Sequence, residues 1–161
     1  MVSTQVWQEF TTSNTLFTVA TDLNFGSVNL TNLNPSLYPI VANSNSYEKW
    51  IKLQFNGTFT SISGVKLYKS DGTYVTGEQV KINGEQTTWV TPVATTSTVA
   101  TTSIPTSLPG TANVSIGGDL AGTITVAGNT TDFIVLQSQY SANTSAGPVN
   151  AKTFSIDWTE N

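Results

Sequence analysis

The sequence predicts an all-β fold, a single antiparallel β-sandwich of immunoglobulin-like or jelly-roll type. Three observations predict it. Apolar and polar residues alternate through most of the chain, as in "NSYEKWIKLQFNGTFTSISGVKLYKSDGTY" at 45–74, and a period of two puts one face of a strand inward. No stretch carries the i, i+3, i+4 spacing of an amphipathic helix. Turn signals part the short runs roughly every 8–12 residues, the spacing of sandwiches and barrels. About eight to ten strands in two packed sheets are expected on these grounds.

The elements follow in order. "TQVWQEF" and "TLFTVAT" alternate, and "LNFGSVNL" is a strand interrupted at Gly26. "TNLNPSLYPI" holds two prolines and reads as an irregular connection, because proline cannot donate to a ladder. Ile51, Leu53 and Phe55 then share one face, with Trp50, Lys52 and Gln54 on the other. After "NGT", Val65 and Leu67 oppose Lys66 and Tyr68, so that 45–74 reads as two core strands and their hairpin. "SDGT" is a hairpin-type turn signal. Val80 and Ile82 form a short strand, "NGE" turns it and "TTWVT" returns. Val114 and Ile116 lead into "GGDLAG", and Ile124 and Val126 alternate after it. "DFIVLQ" is apolar on both faces, as in a central strand covered on both sides. "SANTSAGPVN" is a loop, and Phe154, Ile156 and Trp158 close the chain on one face. By parity, Ile51, Leu53, Phe55, Val65, Leu67, Phe133, Val135, Phe154 and Ile156 are expected to be buried.

With 161 residues the chain reads as one domain, at about 150 residues per domain. It is expected to carry an N-terminal extension over about residues 1–20 and an extended Thr/Pro-rich arm over 91–110. That arm, "TPVATTSTVATTSIPTSLPG", has three prolines and no charge. A structureless loop of that length is uncommon in a compact domain, and a freely solvated one would carry ionised residues. It is therefore expected to order against another protein chain, with Val99 and Ile104 as anchors, and to be removable without loss of the sandwich.

Composition excludes several functions. Cysteine, histidine and arginine are absent and all six basic residues are lysine. Ser-His-Asp and Cys-His catalysis in their usual forms need bases that the chain lacks. Zinc is a poor match without His or Cys, since carboxylates alone suit harder cations. A net charge of −4 does not suit nucleic acid, which asks for clustered positive charge and arginine forks. No run of about 18 apolar residues spans a membrane, and "MVSTQVWQEF" lacks the basic and apolar regions of a signal peptide. Charged residues make up 10% of the chain, against about 25% in ordinary domains, and Thr, Ser and Asn supply the solubility.

Candidate sites are few. Glu48, Asp132 and Asp157 adjoin strong strands and would be needed for a two-carboxylate glycosidase, but each reads better as a solvated or strand-end acid. Glu48 beside Lys49 suggests an exposed ion pair, worth about 0–1 kcal/mol. Asp71 in "SDGT" could give one calcium ligand, yet Asp-Gly in a turn is ordinarily the turn itself. Lys66 and Lys69, flanking Tyr68, read as edge-protecting lysines or as a cationic patch for an acidic partner. Trp50, Tyr68 and Trp89 fall on the polar parity, where they would stack on sugars or anchor a neighbouring subunit. Five N-x-[ST] sequons begin at Asn29, Asn56, Asn113, Asn129 and Asn143 and follow from the Asn/Thr-rich composition. No cofactor, metal or catalytic residue is expected.

Taken together, "LNPSLYPI", "NSYEKWIKLQFNGTFTSISGVKLYKSDG", "TDFIVLQ" and the terminal "SAGPVNAKTFSIDWTEN" resemble small β-sandwich structural proteins of tailed-bacteriophage virions, over roughly residues 23–160. In such proteins a "YEKW" strand, a hairpin like the one at 59–70, a D-[FY]-I-V-L-Q strand and an acidic C-terminal strand recur. The resemblance implies a homo-oligomeric virion protein made in the host cytoplasm, without an active site. Its partners would be capsid subunits, which it would decorate or cement, or else neck or tail proteins. A carbohydrate-binding or receptor-binding module using the outer aromatics is the alternative. An exposed Trp–Tyr row in one concave groove would favour sugar, and a flat patch shared with a second chain would favour assembly.

Overall fold

The computed structural model describes residues 2–145, 147 and 149–161. Met1 of the expected extension and Ala146 and Pro148 of the expected 141–150 loop lie outside them. Nine strands and no helix occur among the described residues: β1 Val2–Glu9, β2 Thr18–Val19, β3 Lys49–Thr58, β4 Ile62–Asp71, β5 Glu78–Gln86, β6 Thr102–Ser103, β7 Thr123–Ile124, β8 Phe133–Tyr140 and β9 Thr153–Glu160. They form two antiparallel sheets, of order β2-β1-β3-β8-β5-β6 and β7-β4-β9. The fold is the expected antiparallel β-sandwich.

Parity places the inner core as the sequence suggests. Ile51, Leu53 and Phe55 of β3 meet Val65 and Leu67 of β4, with Val80, Ile82, Ile134 and Leu136 beside them, all buried. Phe154 and Ile156, expected to be buried, are only half-covered and pack against this cluster. Strand β9 lies at the edge of the smaller sheet, so neither side chain is enclosed on every flank. Strand β8 is central and apolar on both faces, and every residue from Phe133 to Ser138 is buried. Its second face belongs to another cluster of Phe10, Trp50, Ala100, Phe133 and Val135. Strand β8 and the Trp50 end of β3 are therefore covered on both sides.

Several expectations about connections are overturned. The stretch 45–74 is not a hairpin, because β3 and β4 lie in different sheets and face each other across the core. "NGT" runs into the end of β3, and residues 59–61 carry the chain across to β4. "SDGT" does make its turn, with the Asp71 carboxylate accepting from Gly72 N at 2.7 Å. The turn feeds a second one, closed by Glu78 N donating to Val75 O at 3.0 Å, and the chain crosses back to the larger sheet. Strand β4 pairs instead with β9, from Ile62↔Glu160 to Asp71↔Thr153. The expected N-terminal extension includes a full strand, since β1 pairs with β3 from Val2↔Thr58 to Glu9↔Ile51.

"NGE" is not a turn either. Gly84 lies inside β5, where the ladder to β8 shifts register between Asn83 and Gln86. Glycine is required there by a crossing segment: a Cβ would stand 2.0 Å from the carbonyl oxygen of Asn113, and Ser115 N donates to Gly84 O at 2.9 Å. Backbone cannot yield as a flexible side chain can, so Gly84→Ala should destabilise by about 1–3 kcal/mol, as overpacking does. Urea unfolding checks this. A midpoint unchanged by the substitution would mean that the 113–115 segment moves aside freely.

The arm at 91–110, expected as an extended loop that orders against another chain, is packed on its own domain. Residues 102–103 form β6 on β5, with Lys81↔Ser103 and Ile82↔Thr102 in register. Ile104 N donates to Val80 O at 3.0 Å, and Lys69 N donates to Pro105 O at 2.8 Å, so the arm ties the two sheets together. Ile104 is buried in the inner core and Ala100 in the outer cluster.

Candidate functional site

The five residues singled out for an interface do not share a surface. Trp50 was expected on an exposed face, yet it is wholly buried. Its ring meets Phe133 edge-on at 5.6 Å and Trp89 at 6.3 Å. Trp89 is half-buried beside it and donates through Nε1 to Phe10 O at 2.9 Å. Val99 is half-buried on the same cluster, while Ile104 belongs to the inner one. Tyr68 follows Leu67 on β4 with the opposite parity, so it sits on the far side of the sandwich from Trp50. The expected row of exposed aromatics is absent because the arm covers the face that Trp50 and Trp89 occupy.

The acids and lysines are also differently disposed. Glu48 and Lys49 were read as an exposed pair, but both are buried and they do not pair with each other. Lys49 Nζ lies 2.7 Å from Glu9 Oε1 and donates to Leu30 O at 2.6 Å. Desolvation of the ammonium depresses the Lys49 pKa, and the Glu9 carboxylate opposes that shift. Glu48 accepts from Trp50 Nε1 at 3.1 Å, from Ser97 Oγ at 2.5 Å and from Val93 N at 3.3 Å. A buried carboxylate has to be met by such donors. Gln137 completes the network by accepting from Ser97 N at 3.0 Å and donating to Thr95 O at 2.7 Å.

Asp132 accepts from Ser115 Oγ at 2.6 Å and Gly118 N at 2.7 Å, and so organises a loop. Asp157 is half-exposed and lies 3.6 Å from Lys66. Lys69 is buried and donates to the Gly72 carbonyl, so it is no edge-protecting surface lysine. Strand β4 is moreover the central strand of its sheet. Asn113, one of the sequon positions, pairs with both backbone groups of Leu67, at 2.8 and 2.9 Å. Lys52 Nζ lies over the Phe133 ring at 4.2 Å, and its pKa is lowered by burial.

Two features were not foreseen from the sequence. One is the irregular segment between β1 and β3. Leu16, Phe17, Val19, Leu30, Leu37 and Val41 on it are exposed, Leu16 at 75% and Leu37 at 69%. Leu16, Phe17 and Val19 flank or belong to β2, the edge strand of the larger sheet. The signal was present in "TNLNPSLYPI", where Leu and Ile accompany prolines that keep the chain out of a ladder. The other is a cavity of about 570 Å³ at one open end of the sandwich. Its walls include Trp7, Phe25, Tyr140 and Phe154, and Glu78 and Lys152 line it as well. Those two form an ion pair at 2.5 Å, and Tyr140 Oη donates to Glu78 Oε1 at 3.4 Å. Burial raises the Tyr140 pKa. The cavity was illegible because its walls come from β1, the 20–25 loop, β5, β8 and β9.

Among the described residues, no group of three or more His, Cys, Asp or Glu side chains is placed to hold a metal ion, and no helix is long and apolar enough to cross a membrane. Compared with known protein families, curated proteins and solved structures, the chain gives no significant match.

Proposed function

We propose that this chain is a non-enzymatic structural protein of a tailed-bacteriophage virion, which decorates or cements the capsid, with a neck or tail position as the next reading. The observation that carries the assembly role is the set of apolar side chains exposed between residues 16 and 41. Large exposed apolar patches on soluble chains mark contact with other proteins, and an open edge strand beside them offers unpaired backbone for the same purpose. The placement in a virion rests on the sequence strings quoted above. A non-enzymatic role is supported by the acids, since Glu48 and Asp132 are each taken up by structural donors.

Particles purified by density gradient from cells carrying the gene provide the test. Mass spectrometry should recover this chain in a fixed ratio to the major capsid or tail protein. Replacement of Leu16, Phe17 and Leu37 by Ser should leave the fold intact and reduce that ratio at least tenfold. Particles that lack the chain altogether would overturn the reading.

A further inference from the structure

Four strands end the two sheets, β2 and β6 on the larger and β7 and β9 on the smaller. Strands β2, β6 and β7 span two residues each, whereas β9 runs for eight. Very short edge strands keep a sheet from joining other chains, and β9 lacks that protection. It contains no proline, and both register shifts in its ladder put the extra residue on β4, so β9 itself stays regular. Among the described residues the backbone of 153–160 bonds only to β4. Alternate N–H and C=O groups along its outer edge are therefore left without a protein partner. The larger sheet does not shield that edge at its C-terminal end, where Ser3 N turns away from β3 and donates to Glu160 Oε2 at 3.1 Å. We propose that a second copy of this chain pairs there, β9 against β9, about a two-fold axis.

The sequence of β9 fits its own copy in one register. Phe154, Ile156 and Trp158 pack on the core, so the opposing strand has to set its own inward residues against them. A two-fold centred on Ile156 does this along the whole strand. Ile156 then faces its equivalent, Phe154 faces Trp158 and Thr153 faces Thr159, and aromatic and Thr–Thr pairs are favourable across strands. On the outer face Asp157 receives the Ser155 hydroxyl. Lys152 and Glu160, opposite in charge, meet at both ends. Each keeps its bond within the chain, Lys152 to Glu78 and Glu160 to Ser3, and an ammonium and a carboxylate both have capacity for a further contact. The neighbouring registers are worse. A centre on Asp157 opposes two carboxylates and sets Phe154 against Glu160, and a centre on Ser155 leaves Thr159 and Glu160 beyond the end of the opposing β9. The two smaller sheets become one continuous sheet. Strand β2 and its apolar neighbours edge the larger sheet instead, so this pairing stands or falls separately from a virion role.

Sedimentation equilibrium of the intact chain over a concentration series should show monomer and dimer in exchange. Ser155 lies on the outer face, where its hydroxyl meets Ser70 at 2.6 Å, so its substitutions test the register without opening the core. Ser155→Lys sets a cation opposite Asp157 twice per dimer and should tighten association about fivefold, and Ser155→Asp opposes carboxylates and should weaken it about fivefold. The chain has no cysteine of its own. Ile156→Cys, on the axis, should therefore be linked as a dimer by oxidised glutathione. Thr153→Cys, whose equivalent lies about 20 Å away along the strand at about 3.4 Å per residue, should stay unlinked. A chain that is monomeric throughout the series overturns the inference and leaves the edge to a strand of another protein. A dimer indifferent to both Ser155 substitutions, or linked no better through Ile156→Cys than through Thr153→Cys, is held by another surface and overturns it as well.

Discussion

Removal of residues 94–107 should abolish cooperative folding rather than leave a trimmed sandwich. The arm contributes Ala100 to the outer cluster and Ile104 to the inner core, so its loss opens both layers at once. It also supplies Ser97, which donates to the buried Glu48 carboxylate and whose backbone N–H is held by Gln137. Without it, two buried polar side chains lose partners inside an apolar layer, and a group stranded in that way costs about 1–3 kcal/mol, more when charged. Two opened cavities and a stranded carboxylate together approach the whole stability of an ordinary domain, about 5–15 kcal/mol. Urea unfolding followed by tryptophan fluorescence should show a broad, non-cooperative change and a red-shifted starting spectrum as Trp50 meets water. A sharp transition at the parent midpoint would show that the arm merely rests on the sheet.

How far the fold was legible can be traced through particular residues. Ile51, Leu53, Phe55, Val65 and Leu67 were placed correctly because parity within one strand is a local property. The burial of β8 on both faces was also local, since a run without alternation has no face to give to water. Partnership was not local. Nothing in "SDGT" states whether the next strand returns beside β4 or crosses to the other sheet, and the extra turn through Val75 and Glu78 decides it. The arm was misread for a related reason. Its lack of charge suggested a foreign partner, whereas its backbone groups are matched by Glu48 and Gln137, far away in sequence. Trp50 was lost with it: Lys52 and Gln54 share its parity and reach solvent, so only the arm distinguishes Trp50 from them. The cavity and the Lys49–Glu9 pair were equally hidden, because each joins residues that only the sheet order brings together.

Replacing Trp50 by Ala should destabilise the protein by about 5 kcal/mol, at the upper end of the usual 3–5 kcal/mol for truncating a buried aromatic. The ring is enclosed by Phe133, Val135, Phe10 and Trp89, and these neighbours lie on strands and loops that are themselves pinned, so the cavity cannot collapse cheaply. The substitution also removes the Nε1 donor from Glu48. Trp50→Phe separates the two contributions. It keeps an aromatic ring against Phe133 and withdraws the donor, so most of its cost should be the lost hydrogen bond to a buried carboxylate, about 1–3 kcal/mol. Chemical denaturation of the parent, Trp50→Phe and Trp50→Ala should therefore give three ordered midpoints. If Trp50→Ala unfolds within about 0.5 kcal/mol of the parent, as an ordinary surface substitution does, then the layer beneath the arm is not a second core. The arm would in that case be free to serve a partner after all.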